Sequence, residues 1–323
     1  MSMIRILVAL GALLAVFAWA CRSAKSSPAT PSAPPATVIE ATPTAEAASC
    51  SPARPHAPGN FDETLASGGL PRTYILHVPA GYDGGRQAPL LLSFHGYGLS
   101  AKFFAPYVNF DAIADRAGFV LVTPDGTGDP QQWNAAGYAG GAADVQFVRD
   151  LLAKLEGDLC IDARVVYAAG FSNGGGMAMR AACELPDAFA AVGVVAAAYV
   201  NCRAPAPLIA FHGSSDPLAP YEGSTDPAAG IFPPVRRSVS EWARGLGCDG
   251  LPIISRPSSE VELSTFQRCP SGEGDVLLYT VLGGGHTWPG TTPLAPQIVG
   301  MTTQQVDASR VMWEFFAAHK RPG

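Results

Sequence analysis

The segment that most narrows what this chain can fold into lies at 164–180. The apolar run Val165-Val166-Tyr167-Ala168-Ala169 leads into Gly170-Phe171-Ser172-Asn173-Gly174, and Gly175-Gly176-Met177-Ala178-Met179-Arg180 follows. It reads as a strand that turns at once into a helix, with a serine at the apex. Strand and helix can meet so tightly only where the neighbouring residues lack bulky side chains, and the glycines meet that need. The chain holds 35 glycines, so the string G-x-S-x-G alone could arise by chance. Its weight comes from the strand before it and from residues that later segments supply.

A buried strand feeding a helix is the unit of an α/β sheet, and the chain repeats it. Continuous apolar runs, as strands covered on both faces require, recur at 73–78, 90–94, 119–123, 165–169, 191–195, 208–211 and 276–281. Helices are predicted at 110–117, 144–155, 174–184, 235–246 and 303–318. This alternation predicts an open, doubly wound sheet. The segment 250–270 is predicted to form a short hairpin before the last core strand.

A serine hydroxyl is a weak nucleophile until an imidazole takes its proton and a carboxylate orients that imidazole. Where the serine sits on such a turn, the chain order is serine, acid, histidine. Of six histidines, only His212, His286 and His319 follow Ser172. His319 lies four residues from the C-terminus in a predicted surface helix. His212 ends the run Pro207-Leu208-Ile209-Ala210-Phe211 and precedes Asp216, which stands just past a late strand, where the acid is expected. The base must follow the acid, which leaves His286 in the loop Gly283-Gly284-Gly285-His286-Thr287-Trp288. The expected triad is Ser172, Asp216 and His286. The competing reading is a glycine-rich turn and two structural loop residues.

A tetrahedral oxyanion also needs preorganised N–H donors. One is expected from the backbone of Asn173. The other is expected from Tyr97, in the His95-Gly96-Tyr97-Gly98 loop after the 90–94 run, with Gly96 as the fallback. His95 is read as a structural group that fixes this loop. Trp288, two residues after His286, is expected to contact substrate, and Trp133 is a weaker candidate for the same role. Asp125-Gly126-Thr127-Gly128-Asp129 lacks the spaced ligands of a calcium loop and is read as a turn. No metal and no cofactor are expected.

Together these segments resemble the α/β-hydrolase family of secreted poly(3-hydroxybutyrate) depolymerases and feruloyl or acetylxylan esterases. The matching residues are Leu70-Pro71-Arg72-Thr73-Tyr74-Ile75-Leu76-His77-Val78-Pro79, His95-Gly96, Gly170 to Arg180 with Ala182-Cys183-Glu184, and the stretches 211–221 and 283–289. In relatives the segment corresponding to 133–141 often carries adjacent cysteines; here it has none. The resemblance implies an α/β-hydrolase fold, with a mostly parallel sheet and helices on both faces. It implies a serine carboxylic ester hydrolase acting on plant-wall feruloyl or acetyl esters, or else on a hydroxyalkanoate polyester. The lean is to the feruloyl type, since no accessory polymer-binding domain is read in the chain. A non-catalytic binding lipoprotein on the same fold would be expected to lack a triad member, and none is missing. A peptidase is a third reading, because the triad does not itself distinguish amide from ester.

Arg5 and the apolar stretch 6–19 predict an export signal over residues 1–20, too short for a comfortable membrane span. It ends at Ala20-Cys21, which predicts processing to a lipoprotein with Cys21 as the acylated, membrane-anchoring first residue; plain cleavage and release is the alternative. Residues 21–58, rich in Ala, Pro, Ser and Thr, are read as a solvated tether, and 59–323 as one catalytic domain. Seven cysteines fit an oxidising compartment, and setting Cys21 aside leaves six. Among the many connectivities six allow, the expected pairs are Cys248–Cys269, Cys183–Cys202 and, by elimination, Cys50–Cys160. The net charge of −6 is spread without basic clusters, so no nucleic-acid partner is indicated.

Overall fold

The computed structural model describes residues 48–137, 141–197, 199–200, 206–226, 232–269 and 274–322. The expected signal, Cys21 and most of the expected tether lie outside the described residues.

Ten strands form one sheet. In chain order they are β1 (Gly59–Ser67), β2 (Leu70–Val78), β3 (Ala88–Phe94), β4 (Val120–Pro124), β5 (Ile161–Phe171), β6 (Ala191–Val195), β7 (Leu208–Gly213), β8 (Ile253–Ser258), β9 (Val261–Thr265) and β10 (Val276–Val281). Across the sheet the order is β1-β2-β4-β3-β5-β6-β7-β10-β9-β8. The six strands from β4 to β10 in that order run parallel, and both margins are antiparallel. This is the doubly wound α/β-hydrolase architecture that the sequence predicts.

The helices are α1 (Ala101–Val108), α2 (Phe110–Ala117), α3 (Asp144–Asp158), α4 (Asn173–Glu184), α5 (Val235–Leu246), a single turn α6 (Pro296–Val299) and α7 (Ala308–Ala317). Successive side chains of a strand point to opposite faces, so the apolar runs feed two cores at once. Leu90, Leu92 and Phe94 of β3 enter a layer with Phe147 and Leu151 of α3, Met177 of α4 and Trp242 of α5. Leu91 enters the other, with Phe104 of α1, Phe110 of α2 and Met312 and Phe316 of α7. The sheet is covered on both faces.

The structure departs from the sequence reading at several places, two of them for evident physical reasons. Strand β1 was not anticipated: its residues alternate between half-buried and exposed, the pattern of an edge strand wet on one face. Helix α1 was not anticipated because Pro106 lies inside it, where proline removes a backbone donor. Ser100 caps its start, accepting from the Phe103 N–H, and the Asp125 carboxylate accepts from Ala101 at 2.7 Å. Asp125 also accepts from Thr73 at 2.9 Å, so this residue braces a turn, as read. The packed chain also begins earlier than residue 59: Ser49 bridges Arg86, Arg54 donates to Leu159 O at 3.1 Å, and Cys50 is bonded to Cys160. The expected hairpin at 250–270 exists as β8 and β9, but it extends the main sheet alongside β10.

The Cys50–Cys160 and Cys248–Cys269 disulfides pair as expected. Cys183 is disulfide-bonded, and Cys202, its expected partner, lies outside the described residues.

Candidate active site

Ser172 stands between the end of β5 and the start of α4 with φ 54° and ψ −118°, a conformation that an L-residue adopts only under constraint. Its N–H donates to Val195 O at 2.8 Å, and its carbonyl accepts from Gly176 N at 3.1 Å, which pins the turn from both sides. The flanking glycines are required sterically. A Cβ on Gly174 would collide with the backbone carbonyls of Phe94 and His95, and one on Gly170 with the Gly174 backbone. The helix therefore starts hard against β3, and the serine is held at the strand ends.

Asp216 follows β7 and His286 follows β10, the two parallel neighbours at that end of the sheet. His286 Nδ1 lies 2.8 Å from Asp216 Oδ2. The other carboxylate oxygen, Oδ1, accepts from the N–H groups of Leu218 and Ala219, each at 2.8 Å. Burial pushes the Asp216 carboxyl up, but hydrogen bonds from His212, His286 and the Ala219 N–H outweigh it and hold the group well below the usual carboxylate range. An ionised Asp216 accepts the Nδ1–H of His286, which leaves the Nε2 lone pair free. The His286 N–H donates to Val299 O at 2.6 Å and Gly285 N–H to Met301 O at 2.9 Å, so the loop is anchored on both sides of the imidazole. His212, which the chain order set aside as base, places Nε2 at 2.8 Å from Ala219 O and 3.4 Å from Asp216 Oδ2. It supports the acid from behind.

Gly96 passes beside the serine: a Cβ there would sit 3.5 Å from Ser172 Cβ. Among the described residues, the N–H groups of Tyr97 and Asn173 meet no protein acceptor; Asn173 opens α4, where intrahelical partners are lacking anyway. His95 fixes this loop. Its Nδ1 is 2.8 Å from Gly96 O, and its Nε2 accepts from Gly126 N–H at 2.9 Å. Burial pulls the His95 pKa down, consistent with a neutral ring that donates from Nδ1 and accepts at Nε2.

Trp133 is buried, and its contacts are structural. Its indole N–H donates to His95 O at 3.0 Å. Its backbone N–H donates to Asn173 Oδ1 at 2.7 Å, and Asn173 Nδ2 returns a bond to Trp133 O at 3.0 Å. Behind it, Arg72 Nη2 pairs with Asp144 Oδ1 at 2.9 Å, while Asp144 Oδ2 accepts from Asn134 N–H at 2.7 Å. Trp133 also lines a cavity of about 740 Å³ with Thr127, Gln132, Asn134 and Asn173, so one edge stays beside open space.

Trp288 requires a correction. It is 0 % exposed, packs edge-on against Phe104 and Phe110, and donates from Nε1 to Ser309 Oγ at 2.9 Å. The indole is drawn into the buried aromatic layer, where its one polar atom is satisfied. It anchors the His286 loop to the core and does not line the cavity that Ser172 and His286 share. That cavity holds about 440 Å³ and is walled by Tyr97, Phe103, Tyr107, Leu218 and Leu294 among others. Apart from Tyr97, sequence reasoning did not select these wall residues, and no motif marks them.

The sequence model of the family described as Esterase PHB depolymerase matches residues 72–224. A protein named "Putative esterase NocK" from Nocardia uniformis subsp. tsuyamanensis is 33 % identical over 276 residues, covering 76 % of this chain and 79 % of that protein. Feruloyl esterase B of Piromyces equi is 31 % identical over 230 residues, 67 % of this chain but 42 % of that protein, so the chain spans under half of this relative. Among solved structures, an acetyl xylan esterase from Aspergillus awamori superposes with a TM-score of 0.57 at 14 % identity, over 80 % of this chain and 99 % of that one. That likeness is one of fold.

Proposed function

We propose that this chain, which belongs to the PHB depolymerase family of esterases, is an exported serine carboxylic ester hydrolase worked by Ser172, Asp216 and His286. The observation that carries the reading is the 2.8 Å Asp216–His286 contact, with His286 on the wall of a cavity that also holds Ser172 at its strained turn. Ser172 Oγ attacks the ester carbonyl carbon while His286 Nε2 takes its proton. The carbonyl oxygen becomes an oxyanion that the Tyr97 and Asn173 N–H groups are free to bind. Collapse of the tetrahedral adduct breaks the bond to the alcohol oxygen, which leaves with the proton from His286. Water, deprotonated by the same imidazole, attacks the acyl-serine and releases the acid. Asp216 stays ionised throughout and holds the imidazole in the required tautomer. This chemistry draws on no cofactor.

As substrates we propose feruloyl or acetyl esters of plant-wall polysaccharide, with a hydroxyalkanoate polyester as the alternative. That the Piromyces relative is a feruloyl esterase supports the first choice. The disulfides support an extracellular location. Acylation at Cys21 would tether the enzyme to a membrane. The test is a panel of methyl ferulate, acetylated xylan and hydroxybutyrate oligomers, with Ser172→Ala as control. Wild type should release acid from at least one, and the variant should be slower by about 10³-fold or more. No hydrolysis of any ester by folded wild type, or equal turnover by the variant, would sink the proposal.

A further inference from the structure

The two cavities beside Ser172 differ in chemistry. The larger carries the polar side chains Thr127, Gln132 and Asn134 among apolar ones such as Val200 and Phe232, and contains neither Ser172 nor His286. The smaller, about 440 Å³, contains both, and among the described residues no charged or amide side chain lines it. Its walls come from helix α1 (Phe103, Tyr107), from the stretch after Asp216 (Leu218) and from α6 and the loop before it (Leu294, Val299). Three of these side chains remain well exposed at its mouth: Phe103 at 46 %, Leu218 at 48 % and Leu294 at 38 %. Apolar surface left in water around a reactive serine is surface that a bound apolar group would cover.

Which part of an ester lies there follows from covalency. After the alcohol has left, the acyl group is still bonded to Ser172 Oγ, and of the two cavities this is the one whose wall Ser172 forms. An acetyl methyl would leave most of about 440 Å³ unfilled, a volume within the range of pockets that enclose drug-sized ligands. We infer that this cavity is an acyl site for a bulky, uncharged, apolar acyl group of about six carbons or more, that Phe103, Leu218 and Leu294 set this preference, and that acetyl esters are poor substrates. The inference rests on the esterase reading and narrows it.

Esters of one alcohol and a graded acid isolate the acyl side. On p-nitrophenyl acetate, butanoate and hexanoate, kcat/KM of the wild type should rise about threefold per methylene, or about 100-fold from acetate to hexanoate. Phe103→Asp puts a charge on the cavity wall at an exposed position and should cut the hexanoate-to-acetate ratio by about tenfold or more. Because the readout is a ratio, partial loss of active enzyme does not affect it. A flat or falling series from a wild type that hydrolyses acetate would overturn the acyl-site inference while leaving the esterase intact. An unchanged ratio in Phe103→Asp would overturn the assignment of the wall. No turnover of any ester would remove both the inference and the function beneath it.

Discussion

Replacing Asp216 with asparagine changes one atom, and the surrounding hydrogen bonds dictate how that atom must point. Oδ1 accepts from two backbone donors, Leu218 and Ala219, each at 2.8 Å. An amide turned with its nitrogen toward them would set donor against donor and leave buried N–H groups unpaired, at about 1–3 kcal/mol each. The amide therefore keeps its oxygen there and places Nδ2 where Oδ2 was, facing His286 Nδ1 at 2.8 Å. His286 can then bond only by accepting at Nδ1, so its proton moves to Nε2 and the lone pair that takes the serine proton is gone. Loss of the correct tautomer in a Ser-His-Asp site lowers kcat by about 10⁴-fold, or roughly 5 kcal/mol of transition-state stabilisation. The fold should survive, since the side chains are isosteric and both backbone bonds remain. The assay is kcat on p-nitrophenyl butanoate with circular dichroism on the same sample. A folded Asp216→Asn enzyme within tenfold of wild type would refute the argument that Asp216 sets the tautomer.

Two further outcomes test the frame around the site. Gly174→Ala forces a Cβ into the carbonyls of Phe94 and His95, backbone that cannot swing aside, and should destabilise by about 3 kcal/mol, lowering Tm by roughly 6–12 °C in calorimetry; an unchanged Tm would contradict the close approach of α4 to β3. At Asp162, burial pushes the carboxyl up, but hydrogen bonds from Arg164 and Lys320 outweigh it and lower it from 3.8 to about 2. A depressed folded value contributes stability above the unfolded pKa of 3.8, and this is lost as pH falls toward and through about 2. Asp162→Asn should therefore be less stable than wild type at pH ~6, with the gap narrowing between pH ~4 and ~2; urea midpoints across that range would show a constant gap if the pairing were inert.

Much of the scaffold was legible because its strands are buried on both faces. The runs 191–195 and 276–281 are continuous apolar segments, and their structural bounds coincide with the predicted ones. The predicted helices at 110–117 and 235–246 likewise share their bounds with α2 and α5. The proposed triad of Ser172, Asp216 and His286 was selected because each residue follows a strand end, a position that sequence order reveals. The edge strand β1 and the proline-containing α1 carry weak local signals, and α1 matters most, since it builds a cavity wall. Trp288 shows the limit differently. Standing two residues from His286 says nothing about which side of the loop its indole takes, and that is decided by Phe104, Phe110 and Ser309 from distant segments. The acyl cavity is invisible in sequence for the same reason, being assembled from stretches far apart in the chain.

The central claim is that Ser172 is the nucleophile. A fluorophosphonate probe reacts with a serine hydroxyl that an imidazole has activated, so the measurement is peptide mapping of the adduct by mass spectrometry on the intact protein. One adduct per chain is expected, on the peptide bearing Gly170-Phe171-Ser172-Asn173-Gly174, with labelling and ester hydrolysis lost in parallel and labelling absent in Ser172→Ala. An adduct on another serine, or ester hydrolysis that persists in fully labelled protein, would contradict the account.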